Sequence, residues 1–193
     1  MSHIFVRSER VVRARSEKVF DTLADYIHRH PRILPSNFLD YHVEQGGRGH
    51  GTVINYRLRA AGREREYTMR VEETVKGQVL TERDSSSSLV TRWSVLPVDQ
   101  GRCSKVSVES DWEGSSGVGG FFERTFAPLG LHKIYDEILG ALAQLVQTPE
   151  QNQKIMLADK KHLKINTTTM MVALGAVIGL LVSLNYWLDR QRT

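Results

Sequence analysis

The fold is decided by residues 52–75, TVINYRLRAAGREREYTMRVEETV, where apolar and polar side chains alternate on both sides of Gly62. Side chains along a β-strand point alternately to opposite faces, so a period of two marks a strand with one buried face. The apolar face contains Ile54, Tyr56, Leu58, Tyr67, Met69 and Val71. Because a glycine turn separates the two halves, the stretch predicts an antiparallel hairpin.

Similar strands are predicted on both sides of this hairpin. They cover residues 4–13 and 38–44 upstream, and 78–84, 89–95 and 104–112 downstream. Short turns join consecutive strands from residue 38 onward, which is typical of an antiparallel meander.

A short helical region is predicted between the first two strands. Ser16 suits the N-cap position, and Val19, Leu23 and Ile27 fall on one helical face. Pro31 ends this region because proline cannot continue a helix without a kink or break.

A long helix is predicted at residues 121–146, where apolar side chains recur at helical spacing from Leu131 onward. Pro128 and Gly130 predict a kink or a split near its start. The order of elements predicts an α+β fold, in which the curved antiparallel sheet wraps around this helix and leaves an apolar space between them.

With this order of elements, the chain resembles the polyketide cyclase/dehydrase and lipid-transport family of the START-like (SRPBCC, birch-pollen-allergen-like) superfamily. The segments that carry the resemblance are ARSEKVFDTLADYIHRHPRILP (14–35), SVESDWEG (107–114) and LHKIYDEILGALAQL (131–145). The resemblance covers about residues 3–147 and implies a helix-grip fold. It consists of residue-type patterns and not of invariant catalytic residues, so it indicates fold more strongly than function.

The end of the chain has a different composition. Residues 165–188 contain no charged side chain, and as a helix they would span about 36 Å, enough to cross a bilayer core of roughly 30 Å. We therefore predict a START-like domain at 1–147, a polar juxtamembrane helix or linker at 148–164, a transmembrane helix at 165–188 and a short tail at 189–193. The alternative is a buried helix of a globular domain.

The flanks of this segment indicate its orientation. Lysines are more frequent before it than after it, and the first residues lack an apolar run long enough for a signal peptide. We expect a single-pass membrane protein whose soluble domain lies in the cytoplasm. Gly175, Gly179 and Ser183 stack on one helix face, so a homodimer through the membrane is an alternative to a monomer.

Charge and composition argue against several classes of function. The net charge is +4, but six of the 26 Lys and Arg residues and three of the 22 Asp and Glu residues lie in residues 149–193, which leaves residues 1–148 nearly neutral. We therefore expect no nucleic-acid partner. Cys103 is the single cysteine, and His28 and His30 would point apart on a helix, so we expect neither a metal site nor a cofactor.

The resemblance implies an internal cavity for an apolar small molecule, such as a lipid, quinone, sterol or polyketide. Alternation and helical spacing place bulky side chains on its walls, and aromatic residues with a polar tip suit such a pocket. The predicted ligand-binding residues are Tyr56, Tyr67, Met69, Trp93, Trp112, Phe122 and Phe126. The alternative for each of them is that it fills the core.

Three functions are compatible with these residues. We favour membrane-anchored binding or transfer of a hydrophobic small molecule, with the membrane and the ligand as partners. The second is a cyclase/dehydrase-type enzyme using Tyr56 or Tyr67 as a general acid or base. The third is a non-catalytic interaction or scaffold domain with a filled interior. No catalytic residue is assigned.

Overall fold

The computed structural model describes residues 2–60, 62–114 and 117–147, and these form seven β-strands, two α-helices and two short 3₁₀ helices. The chain divides into the units Met1–Gln147 and Thr148–Thr193, and all described residues belong to the first. No helix among the described residues is long and apolar enough to cross a membrane. The span predicted at 165–188 lies outside them, as do Gly175, Gly179 and Ser183.

The seven strands form one antiparallel sheet. They are β1 Ser2–Val12, β2 Phe38–Gln45, β3 Val53–Ala60, β4 Arg63–Val75, β5 Val79–Asp84, β6 Val90–Val98 and β7 Cys103–Gly114. The order across the sheet is β1-β7-β6-β5-β4-β3-β2, and all neighbours pair antiparallel. The predicted meander is confirmed, and β1 pairs with β7 at one edge of the sheet.

The alternation of side chains along β6 shows why the sequence forms this sheet. Thr91, Trp93 and Val95 are buried, whereas the residues between them are only partly covered. A period of two therefore separates an inner, apolar face from an outer, solvated one. The inner face packs against the helices and also borders a cavity.

The first helix is shorter than predicted. Helix α1 is Ser16–Ala24, and Arg15 occupies the N-cap position that was expected for Ser16. It ends before Ile27, which is half exposed. The helix ends here because the N–H of Tyr26 donates to the carbonyl oxygen of Gly47 (3.0 Å) and not to a carbonyl of the preceding helical turn.

The second helix, α2, is Gly117–Val146 and contains Pro128 within a single helical segment. Of the predicted kink or split near the start of this helix, the split does not occur, because the helix continues through Pro128. Proline lacks one backbone donor, and the remaining hydrogen bonds on either side carry the helix through. Further along α2, Ile138, Leu139 and Leu142 are fully buried against the sheet and α1.

Truncation of a buried α2 side chain tests this packing. We expect Leu142→Ala to lower the free energy of unfolding by about 2–5 kcal/mol, because it leaves a void in a close-packed core. The matched control is Leu129→Ala in the same helix, where the side chain is 69% exposed and the change should stay below about 0.5 kcal/mol. Chemical denaturation measures both, and equal losses would contradict the observed orientation of α2.

Candidate functional site

A cavity of about 720 Å³ lies between the sheet and α2. Its walls come from β2 to β7, from the 3₁₀ helix His30–Ile33 and the residue that follows it, and from one face of α2. The apolar and aromatic side chains that line it are Leu34, Phe38, Tyr41, Ile54, Tyr56, Leu58, Ala60, Tyr67, Leu89, Trp93, Trp112, Leu131, Tyr135 and Ile138. Glu82, His30 and Thr91 are buried polar residues of the same wall.

Four of the seven predicted ligand-binding residues line this cavity, namely Tyr56, Tyr67, Trp93 and Trp112. Met69 is fully buried but is not part of the wall. Alternation places it on the inner face of β4, where it supports the core and not the cavity. The side chains of Phe122 and Phe126 lie outside the described part of the chain.

Aromatic rings follow one another along the β2–β4 side of the cavity. The ring centroids of Phe38 and Tyr56 are 5.0 Å apart, and those of Tyr56 and Tyr67 are 5.6 Å apart. The guanidinium of Arg65 lies 5.4 Å from the centre of the Tyr67 ring. The row therefore has Tyr56 as its most buried ring and ends at a charged group at the surface.

Glu82 is a candidate functional residue that the sequence analysis missed. Its side chain on β5 is 5% exposed, and its Oε1 atom accepts hydrogen bonds from the Tyr26 hydroxyl (2.7 Å) and from the Trp93 indole N–H (3.0 Å). Burial raises the pKa of Glu82 to about 7, although the hydrogen bonds from Tyr26 and Trp93 act in the opposite direction. A carboxyl group that titrates near neutral pH is typical of functional sites.

The glycine-rich turn between β2 and β3 holds Tyr26 in place. The carbonyl of Gly47 accepts the Tyr26 N–H, and the Tyr41 hydroxyl donates to the Tyr26 carbonyl (2.8 Å). Gly47 has a φ of 130°, and a Cβ there would lie 2.3 Å from the Cδ1 of Ile27. Only glycine fits at this position, so the turn sequence indirectly fixes the phenol that binds Glu82.

His30 lies beside this group. Its ring stacks on Tyr26 with centroids 4.6 Å apart and meets the Trp93 ring edge-on at 5.8 Å. Nδ1 lies 2.8 Å from the carbonyl oxygen of Leu23, and because a carbonyl only accepts, Nδ1 carries the proton. Burial lowers the pKa of His30 to about 4, so the ring is neutral at physiological pH and Nε2 is an acceptor.

The hydroxyls of Tyr56 and Tyr135 are neutral groups. Burial raises the pKa of both Tyr56 and Tyr135 well above the usual range. The Tyr135 hydroxyl bonds with Ser110, whose hydroxyl is also 2.6 Å from that of Thr91. Tyr56 can therefore donate a hydrogen bond, but it is unsuited to act as a base near pH 7.

The opposite end of the cavity is open and charged. Arg63, Glu64 and Arg65 lie exposed at the start of β4, and Ser88 and Glu113 are exposed wall residues from the β5–β6 loop and β7. Within the described ranges no group of three or more His, Cys, Asp or Glu side chains could hold a metal ion. The site therefore combines an apolar body, a buried polar end and a charged rim.

A family model described as polyketide cyclase/dehydrase and lipid transport matches residues 3–147. No curated protein matches the chain by sequence. Solved structures of other proteins have the same architecture as this chain.

Three solved structures illustrate the similarity. The KanY protein (ms6282), solved by NMR, is 38% identical with a TM-score of 0.68, covering 77% of this chain and 100% of KanY. The Zhui aromatase/cyclase from Streptomyces sp. R1128 is 14% identical with a TM-score of 0.62, covering 75% of this chain and 94% of its own. A START superfamily protein from Mycobacterium smegmatis is 15% identical with a TM-score of 0.58, covering 75% and 97%. The last two show the fold alone.

The raised pKa of Glu82 predicts a pH-dependent difference between the native protein and E82Q. The folded state disfavours the ionised carboxylate, so the native protein should lose stability relative to E82Q as pH rises from about 4.5 to about 7. The full loss is roughly 3 kcal/mol and should persist above pH 7. Gln keeps an oxygen that can accept from Tyr26 and Trp93.

Chemical denaturation of both proteins across this pH range measures the difference. His30, whose pKa is lowered from 6.5 to about 4, produces the opposite slope in both proteins and cancels. A stability difference that does not change with pH would contradict the environment assigned to Glu82.

Proposed function

The chain belongs to the polyketide cyclase/dehydrase and lipid-transport family, and from this premise we propose that it binds a hydrophobic small molecule, such as a lipid or quinone, in its internal cavity. The observation that carries the proposal is the cavity of about 720 Å³. Small-molecule sites typically occupy about 300–1,000 Å³ and combine apolar walls with a few polar groups. This cavity has both features.

The cost of an empty cavity supports the same proposal. A void between packed elements loses the contacts that its lining would otherwise make, so it destabilises the fold. Two large rings, Tyr56 and Trp93, and the α2 side chains Leu131 and Ile138 border the space without closing it. A bound apolar molecule would restore those contacts.

We further propose that residues 165–188 tether this domain to a membrane, with the domain on the cytoplasmic side. Support comes from the charge-free composition of the segment and from the lysines that precede it. A tether raises the concentration of the domain near the bilayer, where hydrophobic ligands partition. Pairing through Gly175, Gly179 and Ser183 stays a prediction within this proposal.

Cyclase/dehydrase-type catalysis is the second candidate, and Glu82 is the observation that favours it. A carboxyl with a pKa of about 7 can accept or donate a proton near neutral pH. Glu82 suits this role better than Tyr56, whose hydroxyl stays protonated. Catalysis through Glu82 predicts that the native protein converts the bound molecule and that E82Q does not.

Blocking the cavity tests ligand binding. Leu131→Trp places a larger ring at the cavity wall and should strongly reduce the hydrophobic molecule that co-purifies with the full chain, as measured by native mass spectrometry. Leu129→Trp is the matched control, because this residue of the same helix is exposed and does not line the cavity. Equal retention in both variants would count against the cavity as the binding site.

Removal of the tail tests the anchor. The full chain should sediment with phosphatidylcholine vesicles, whereas a chain ending at Gln147 should stay in the supernatant, because it lacks the apolar segment. The circular dichroism spectrum of the shortened chain serves as the folding control. Sedimentation of the folded, shortened chain with vesicles would overturn the tether.

A further inference from the structure

Glu82 offers one carboxylate oxygen to the cavity without a donor. Its Oε1 accepts both the Tyr26 hydroxyl (2.7 Å) and the Trp93 N–H (3.0 Å), and among the described residues no hydrogen bond reaches Oε2. The side chain is 5% exposed and belongs to the cavity wall. The described side chains thus donate two hydrogen bonds to Oε1 of Glu82 and none to Oε2, which can accept from a ligand.

His30 offers a second acceptor at the same end of the cavity. Its Nδ1–H is used by the Leu23 carbonyl, and Nε2 has no partner within the part of the chain that the structure describes. The ring is 3% exposed and lies against Tyr26 and Trp93, the two residues that bind Glu82. The two free acceptors therefore lie beside the same pair of rings.

Unpaired acceptors become energetically costly when a ligand excludes water from the cavity. Removing a polar group from water without a replacement hydrogen bond costs on the order of 1–3 kcal/mol, and more when the group is charged. The Tyr135 hydroxyl on the facing helix is engaged with Ser110. A hydrogen-bond donor on a ligand would pair with an acceptor that the described side chains leave unpaired.

We propose that the buried end of the cavity receives the hydroxyl group of an otherwise apolar ligand, which donates its hydrogen to Oε2 of Glu82. The inference rests on the proposed function and narrows its ligand class to hydroxylated apolar molecules, such as long-chain alcohols, sterols or phenols. The apolar body extends past Leu58 and Leu131 towards the rim at Arg65.

This arrangement discriminates against ligands that carry only acceptors. When Glu82 is ionised, a carbonyl or ether oxygen facing Oε2 and Nε2 would leave the two acceptors unpaired and be repelled by them. Sites built to bond a particular polar group reject analogues that lack it far more strongly than apolar pockets discriminate by size. The hydroxyl is thus a specificity element, and the apolar wall supplies affinity.

A matched pair of probes tests the inference. We would titrate 2-naphthol and 2-methoxynaphthalene into the purified full chain by isothermal titration calorimetry at pH 7.5. The ether is the more apolar molecule, so burial of apolar surface alone favours it. We expect 2-naphthol to bind about tenfold or more tightly than the ether, the effect of a hydrogen bond to a charged acceptor.

Two variants assign the preference to Glu82. In E82Q the amide oxygen accepts from Tyr26 and Trp93 and the NH₂ group faces the cavity, so we expect the preference for 2-naphthol to disappear or reverse. The matched control is Glu72→Gln, which makes the same chemical change at an exposed residue of β4 that does not line the cavity. E72Q should keep the preference of the native protein.

The outcomes separate the two proposals. If neither probe shows saturable binding, the proposed function fails, and the inference fails with it. If both probes bind with equal affinity, or if E82Q keeps the preference, the inference is overturned while the cavity remains a binding site. If E82Q does not fold, ¹³C NMR of the Glu82 side-chain carboxyl in the native protein decides, because 2-naphthol should shift this resonance through its hydrogen bond and the ether should not.

Discussion

The cavity exists because α2 packs tightly against the sheet along only part of its length. Near the C-terminal end of α2, the side chains of Leu139, Leu142 and Val146 are almost completely buried. Earlier in the helix Leu131 and Tyr135 border the cavity. A single helix does not follow a curved sheet throughout, so close contact at one end leaves space at the other. The cavity is thus a consequence of how the core is packed.

The chemistry of the site depends on the contrast between two carboxyl groups on β5. Burial would raise the pKa of Asp84, but hydrogen bonds from Ser87, Ser86 and the N–H of Thr68 lower it below its usual value. Glu82, two residues earlier on the same face, receives two donors on one oxygen, and its pKa rises to about 7. Asp84 therefore stabilises a loop, whereas Glu82 belongs to the cavity wall and its Oε2 accepts no hydrogen bond from the residues that the structure describes.

Alternation in the sequence predicted the meander and placed Tyr56 and Trp93 on the inner face. It could not show where along that face the helix packs. The pattern therefore did not distinguish Met69, which fills the core, from Tyr67, which lines the cavity. The same period of two also puts Glu82 on the face of Leu80, and that signal could have identified it. The orientation of His30 depends on a 3₁₀ turn and on hydrogen bonds to the backbone carbonyls of Asp25 and Leu23, which the periodicity of the sequence does not encode.

The central claim is that an apolar molecule occupies the space between the sheet and α2. Intermolecular nuclear Overhauser effects between a bound apolar ligand and methyl-labelled leucines of the full chain would test it most directly. The account predicts effects to Leu58, Leu89 and Leu131, which line the cavity. Effects confined to exposed leucines such as Leu96 and Leu129 would contradict it.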